Sequence, residues 1–335
     1  MSGGPTAGPD GAERPGRVLA EPVMGTVVSI DIRFPAEPAP SGWASAPGRE
    51  PAAVEAAIAA AVGALHRADE DFSTFKPTSW VSKLRRDEIS LEDCPKQVGE
   101  VYRLAATCRD RTGGCFDPGW RADGTLDPTG LVKGWAADMA SAALTAAGLT
   151  THCVNAAGDL RVRGRPGPRR PWRVGIADPF HRGRFVAVVA GSELAIATSG
   201  TAEQGDHIVN PRTGASASGL ASVTVVGPGL AEADAYATAA VAAGRDALGL
   251  LTDLARDGWE WLAVADSGEL TCSAGFRRGA DGLVVAGFAE APPDSPVPAE
   301  ANAHPILRPA RVSLVPTTSP VATAIPTAAF VPRGG

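Results

Sequence analysis

HCVNAAGDLRVRG (152–164), WRVGIAD (172–178), FVAVVAGSELAIATS (185–199) and ASVTVVG (221–227) follow one another with few intervening helical stretches. Each is rich in Val, Ile and Ala and is bounded by Gly, Pro, Asn or Asp, the pattern of short strands joined by turns. Closely spaced strands of this kind favour an α+β fold, with mixed or antiparallel sheets flanked by helices, over a doubly wound parallel sheet. Upstream, TVVSIDIRF (26–34) alternates with period two and reads as a further half-buried strand. Around the strands lie helical stretches. AVEAAIAAAVGALHRADEDF (53–72), QVGEVYRLAATCRDRTGG (97–114), VKGWAADMASAALTAAG (132–148) and EADAYATAAVAAG (232–244) are amphipathic or Ala-rich, and the last three are stopped by glycine. LLTDLARDG then EWLAVAD adds a helix and a strand.

The chain has 335 residues, 44% of them hydrophobic, enough for a substantial core. Its formal charge of −6 leaves no basic excess for non-specific nucleic-acid binding. Five cysteines with no C-x-x-C pair argue against a disulfide framework or a structural zinc, and point to a reducing, cytoplasmic setting. The N-terminal MSGGPTAGPDGAERPGR has neither the apolar region of a signal peptide nor a lipobox-like cysteine. No run of about 18 apolar residues argues for a membrane span. Residues 1–17 read as disordered, 35–51 as an inserted loop and 291–335 as a Pro/Ala-rich tail, leaving 18–290 as the domain. Of 31 Lys and Arg residues, only Lys76, Lys83, Lys96 and Lys133 are lysines.

Several segments carry chemistry. In LDPTGLVKGWAAD (126–138), the turn Asp127-Pro128-Thr129-Gly130 leads into a helix with Lys133 in its first turn. That arrangement suits an anion, and serves equally as a helix cap beside a surface lysine. Asp234 and Thr238 are four apart and share one helical face. They could offer two hard oxygens to Mg²⁺, or be a dipole-favoured Asp and a small core-facing Thr. In ELAIATSGTAEQGDHIVNPRTG (193–214), a strand ends at Thr198-Ser199-Gly200 and a polar hairpin leads to His207, Ile208 and Val209. His207 there is a candidate general base or a partly buried histidine on a backbone carbonyl. Met24-Gly25-Thr26, the Ser/Thr/Pro turn of FSTFKPTSWVSKL (72–84) and Asp117-Pro118 in CFDPGW (115–120) are weaker, loop-like signals.

Taken in order, MGT, FSTFKPTSWVSKL, FDP, DPTGLVKGWAAD, VNAAGDLRVRG, GIADP, ATSGT, HIVNPRTG, ASVTVV and ADAYATAA resemble the ApbE family of FAD:protein FMN transferases, from about Glu21 to Phe288. The resemblance implies an ApbE-like fold, of which two similar αβ halves are one arrangement. It also implies an enzyme that cleaves FAD with Mg²⁺, attaches FMN through a phosphoester to a Thr or Ser of an acceptor protein, and releases AMP. It places Met24, Phe75, Asp117, Pro118, Gly119, Asp127, Lys133, Thr198, Ser199, Gly200 and Ile208 on FAD. The Gly130 carbonyl, Asp234 and Thr238 would be on Mg²⁺, and His207 would be catalytic. Departures from the family pattern are Ala157 for a glycine, Gly119 for a threonine, Asn210 for an aspartate, and a hairpin before His207 that lacks a tyrosine. Hydrolysis of FAD to FMN and AMP, or FAD binding without catalysis, are the alternatives.

Overall fold

The computed structural model describes residues 16–34, 51–121, 123–167, 170–200, 208–279 and 282–286. Twelve strands and six α-helices appear among the described residues. The strands are β1 (Gly16–Val23), β2 (Thr26–Arg33), β3 (His152–Ala156), β4 (Asp159–Arg163), β5 (Trp172–Ala177), β6 (Phe185–Gly191), β7 (Glu193–Gly200), β8 (Leu220–Gly227), β9 (Glu260–Ala265), β10 (Leu270–Cys272), β11 (Phe276–Gly279) and β12 (Gly282–Ala286). The helices are α1 (Pro51–Phe72), α2 (Trp80–Arg85), α3 (Lys96–Arg111), α4 (Thr129–Ala146), α5 (Leu230–Ala243) and α6 (Ala247–Arg256).

Eight strands form one fully antiparallel sheet in the order β1-β2-β3-β4-β7-β8-β9-β10. A second sheet, β11-β12-β6-β5, is mixed, because β12 runs parallel to β6. The α+β expectation therefore holds. Residues 16 and 17, expected to be disordered, open β1 instead, where pairing with Arg33 and Ile32 supplies their backbone bonds. The remainder of that N-terminal segment, most of the 35–51 loop and the C-terminal tail lie outside the described residues.

Period two explains the layering. On β7, Ala195 and Ala197 join the helix-side core while Leu194 and Ile196 join the core against the small sheet. On β9, Trp261 and Ala263 divide from Leu262 and Val264 in the same way. The large sheet is thus covered on both faces, which is why its central strands read as near-continuous apolar runs. Val28, Ile30 and Ile32 of the edge-side β2 face the helices alone and keep the clean alternation seen in the sequence.

Alanine lets the helix layer lie close. α5 has 11 buried residues among its 14 and packs on β7, β8 and α4. Where α4 crosses it, a Cβ on Gly134 would stand 2.6 Å from the Leu230 carbonyl oxygen, so only glycine permits this approach. Asp138, one turn further along α4, accepts hydrogen bonds from the Leu230 (2.7 Å) and Ala231 (3.2 Å) N–H groups. A side chain from α4 thereby satisfies the unpaired amides at the start of α5.

Two hairpin turns each place one non-glycine residue at positive φ, followed by a glycine. Met24 (φ 54°) and Gly25 (φ 70°) join β1 to β2, and Ala157 (φ 53°) and Gly158 (φ 101°) join β3 to β4. Two-residue turns with both φ positive match strand twist, but a Cβ in this region costs energy. Replacing Ala157 by Gly should raise unfolding free energy by about 0.5–1 kcal/mol, the relieved strain being partly offset by the freer unfolded chain. Urea unfolding measures it, and a less stable variant contradicts the turn assignment.

His152 is fully buried. Its Nδ1–H donates to the Leu149 carbonyl (2.7 Å), so its Nε2 accepts from Ser141 Oγ (2.8 Å). Burial first, outweighing the carbonyl bond, lowers its pKa from 6.5 to about 4. The depressed value means that this contribution is intact above about pH 6.5 and is lost as pH falls toward 4, because the unfolded chain takes the proton first. By pH 5 the loss is about 2 kcal/mol. In urea unfolding at pH 7 and pH 5, the parent chain should lose about 2 kcal/mol more than His152→Gln. Equal losses would show that His152 is not held neutral.

Candidate active site

The strand register collects the site at one end of the large sheet. Val28 lies opposite Ala156, and Leu160 opposite Ile196, so the Met24-Gly25 turn, the Ala157-Gly158 turn and the Thr198-Gly200 end of β7 share one edge. The start of α4 and the middle of α5 overhang it. Between them is a cleft of about 480 Å³ whose walls include Met24, Asp117, Asp127, Gly130, Lys133, Thr198, Ser199, Gly200, Ile208, Asp234 and Thr238. Eleven residues expected at the site therefore meet in one cavity. Pro118 and Gly119 lie in the adjoining turn, outside the lining. Phe75 also lies outside the lining and is 95% exposed. His207 falls outside the described residues.

The FDP turn is braced from within. Asp117 Oδ1 accepts from the Gly119 N–H (2.8 Å), while its other oxygen pairs with Arg109 Nε at 3.1 Å. Asp127 is likewise committed. Its Oδ1 accepts from the Thr129 N–H (3.1 Å) and hydroxyl (2.6 Å), and its Oδ2 from Arg121 Nε (2.9 Å). α4 starts at Thr129 with Pro128 as its N-cap, and Asp127 holds the turn before it through the Thr129 N–H, so Gly130 belongs to the first helical turn and Lys133 to the second, later than the sequence suggested. Phe116 fills the space where a Gly130 Cβ would lie, 3.0 Å from its ring.

Lys133, half-buried, places Nζ 2.5 Å from Asp159 Oδ2. The other Asp159 oxygen accepts the Thr198 N–H at 3.0 Å. The next residue, Ser199, sets its hydroxyl 2.9 Å from that of Thr238, and the Thr198 hydroxyl bonds that of Thr224 (2.8 Å). Asp234 is 7% exposed and receives the Gly134 backbone N–H. Burial, then the nearby charge of Asp159, pushes its carboxyl well above the ordinary carboxylate range, against the opposing pull of Lys133. Asp234 is the fifth residue of α5, beyond the first turn where the helix dipole acts, and the acidic residue of that turn is Glu232. Helix-end stabilisation therefore does not account for its burial.

These pairings separate the carboxylates. Asp117, Asp127 and Asp159 each have a cationic partner, Arg109, Arg121 and Lys133 respectively. Asp234 alone among them has no ion pair in the described residues, and Thr238 lies one turn along the same face. A buried carboxylate beside a hydroxyl and a helix carbonyl fits a small hard cation. No cluster of three or more His, Cys, Asp or Glu suited to a metal occurs among the described residues, so such a cation would rely on these mixed oxygen donors.

The sequence reading missed Asp159, Phe116, Trp120 and Cys115. Asp159 follows a Gly-containing turn and resembles an ordinary polar turn residue; its pairing with Lys133 spans 26 positions, which no local pattern marks. Phe116 opens the FDP signal and Cys115 and Trp120 flank it, so an aromatic at each end of the turn was the available clue.

Comparison with known proteins bears on the fold and the family. A stretch of 129 residues is 41% identical to the FAD:protein FMN transferase of Rhodobacter capsulatus, covering 36% of this chain and 24% of that protein. Another of 123 residues is 33% identical to that of Escherichia coli K12, covering 34% and 35%. The aligned stretches thus span about a third or less of those relatives. The fold matches the ApbE protein of Thermotoga maritima, with a TM-score of 0.66 and 23% identity over 78% of this chain and 97% of that one. It also matches the flavin transferase ApbE of Vibrio cholerae, with a TM-score of 0.62 and 20% identity over 78% and 98%. A sequence model of the ApbE family matches residues 24–122 and 119–260, which is most of the chain, and the protein belongs to that family.

Proposed function

We propose that the chain transfers the FMN moiety of FAD to a Thr or Ser hydroxyl of an acceptor protein, forming a phosphoester and releasing AMP. The observation that carries this reading is Asp234, a buried carboxylate with no ion pair among the described residues, which lines the same cleft as Lys133. The curated relatives bear the name FAD:protein FMN transferase, which supports the same chemistry.

Asp234, Thr238 and the Gly130 carbonyl would hold Mg²⁺. Bound there, the ion would neutralise charge on the diphosphate and polarise its phosphorus. Thr238 can donate its proton to Ser199 and still offer a lone pair. Lys133 supplies a compact positive charge for a phosphate oxygen. Met24, at the turn between β1 and β2, forms an apolar wall suited to one face of a flat ring. Its positive φ is strain retained where the side chain reaches the cleft. In the transfer, the acceptor oxygen attacks the FMN phosphorus, the P–O bond to AMP breaks, and the hydroxyl proton passes to a base. The family resemblance assigns that base to His207.

No described helix is long and apolar enough to cross a membrane. We place the reaction in the cytoplasm, with an acceptor accessible there. Cys94, Cys108, Cys115 and Cys153, free thiols in the described structure, support this reading.

Incubation with FAD, Mg²⁺ and an acceptor protein, followed by intact-mass measurement, tests the proposal. The acceptor should gain the mass of an FMN phosphoester with loss of AMP. Free FMN with AMP would indicate hydrolysis instead, and intact FAD would indicate binding alone. His207→Ala should bind FAD nearly normally yet lose transfer by at least about 100-fold. Asp234→Ala should lose the Mg²⁺-dependent rate. Full transfer by either variant removes that residue from its role.

A further inference from the structure

We propose that Asp159 is a positioning residue of the cleft, one that fixes the Lys133 ammonium and the Thr198–Gly200 strand end relative to each other. The inference rests on reading the cleft as a diphosphate-transfer site. Asp159 is the first residue of β4, directly after the strained Ala157-Gly158 turn, and its side chain is 2% exposed. Water therefore contributes little to stabilising its charge, and the protein supplies the compensation.

The two oxygens have divided tasks. Oδ2 lies 2.5 Å from Lys133 Nζ on α4, and Oδ1 takes the Thr198 N–H of β7 at 3.0 Å. Through Ser199 and its 2.9 Å contact with Thr238, the same strand end reaches α5. One carboxylate thus links the lysine, the Thr-Ser-Gly strand end and the face that carries Asp234. Oδ2 makes an ion contact without a directed hydrogen bond, Oδ1 holds a backbone amide, and Asp159 itself is not part of the cleft wall. Its effect passes through Lys133 and Thr198.

The pairing has a direct consequence for binding. An ammonium has three N–H donors, so contact with Asp159 leaves capacity for a phosphate oxygen. It also holds the ammonium on its four-carbon stem in one place. The negative charge of Asp159 offsets part of the attraction between Lys133 and a bound dinucleotide. Asp159 therefore trades ground-state affinity for geometry that matters as the P–O bond breaks.

Asp159→Asn separates the tasks, because the amide oxygen can still accept from Thr198 while the NH₂ group faces Lys133 without charge. Three readouts test it: FAD affinity with Mg²⁺ by calorimetry, the turnover of FMN transfer, and the ¹³Cε resonances of labelled lysine. Only four lysines occur, so each resonance is assignable by single substitution. The expected result is a Kd for FAD unchanged or lower, a kcat reduced by at least about tenfold, and a shift of the Lys133 resonance alone. A purely structural role would instead weaken affinity and lower Tm together, and that result overturns the proposal. So does an unmoved Lys133 resonance. If the parent chain binds FAD but transfers nothing, the transferase reading fails, while the resonance and the FAD affinity still decide the role of Asp159.

Discussion

The contact between α4 and α5 at Gly134 is the constraint on which the site depends. A Cβ there would fall 2.6 Å from the Leu230 carbonyl oxygen, a distance that backbone atoms do not tolerate. Glycine lets the two helices approach until the Gly134 N–H reaches Asp234, and Asp138 then closes the N-terminus of α5. The same close approach brings Gly130 and Lys133 of one helix against Asp234 and Thr238 of the other. Without it, the groups on the two helices would stand apart.

The cleft also depends on where its charges are matched. Arg109, Arg121 and Lys133 neutralise three of the acidic side chains in and around the site. Behind it, Arg161 lies 3.5 Å from Asp138 and completes the support for the start of α5. Burial raises Asp138 above its ordinary range, and Arg161 is the largest influence opposing that rise. Breaking such a buried pair leaves an uncompensated charge, which costs several kcal/mol. Among the described residues, Asp234 is then the cleft-lining carboxylate left without an ion pair.

Much of this was legible from the residues. The α+β class followed from closely spaced strands with few intervening helices, and the shared face of Asp234 and Thr238 followed from helical geometry. The order of the motifs identified most of the cleft lining. Other features resisted, for definable reasons. The start of β1 was hidden because Gly16 and Arg17 look like linker, and their order comes from pairing with β2. The small sheet joins β11 and β12 to β5 and β6 across about a hundred residues, a pairing that local pattern does not encode. Asp138 reads as a polar position on α4 until α5 is seen above it. Phe75, aligned with an aromatic contact, points to solvent, since nothing in its own segment dictates which way a loop side chain turns.

The most direct test of this account is Mg²⁺-dependent FAD binding by Gly134→Ala, measured by calorimetry on protein shown by circular dichroism to be folded. The added methyl must push α4 and α5 apart, so the account predicts a folded protein about 1–3 kcal/mol less stable whose affinity for FAD with Mg²⁺ falls by at least about tenfold. Parent-like affinity in that variant would contradict the claim that the close helix contact makes the site.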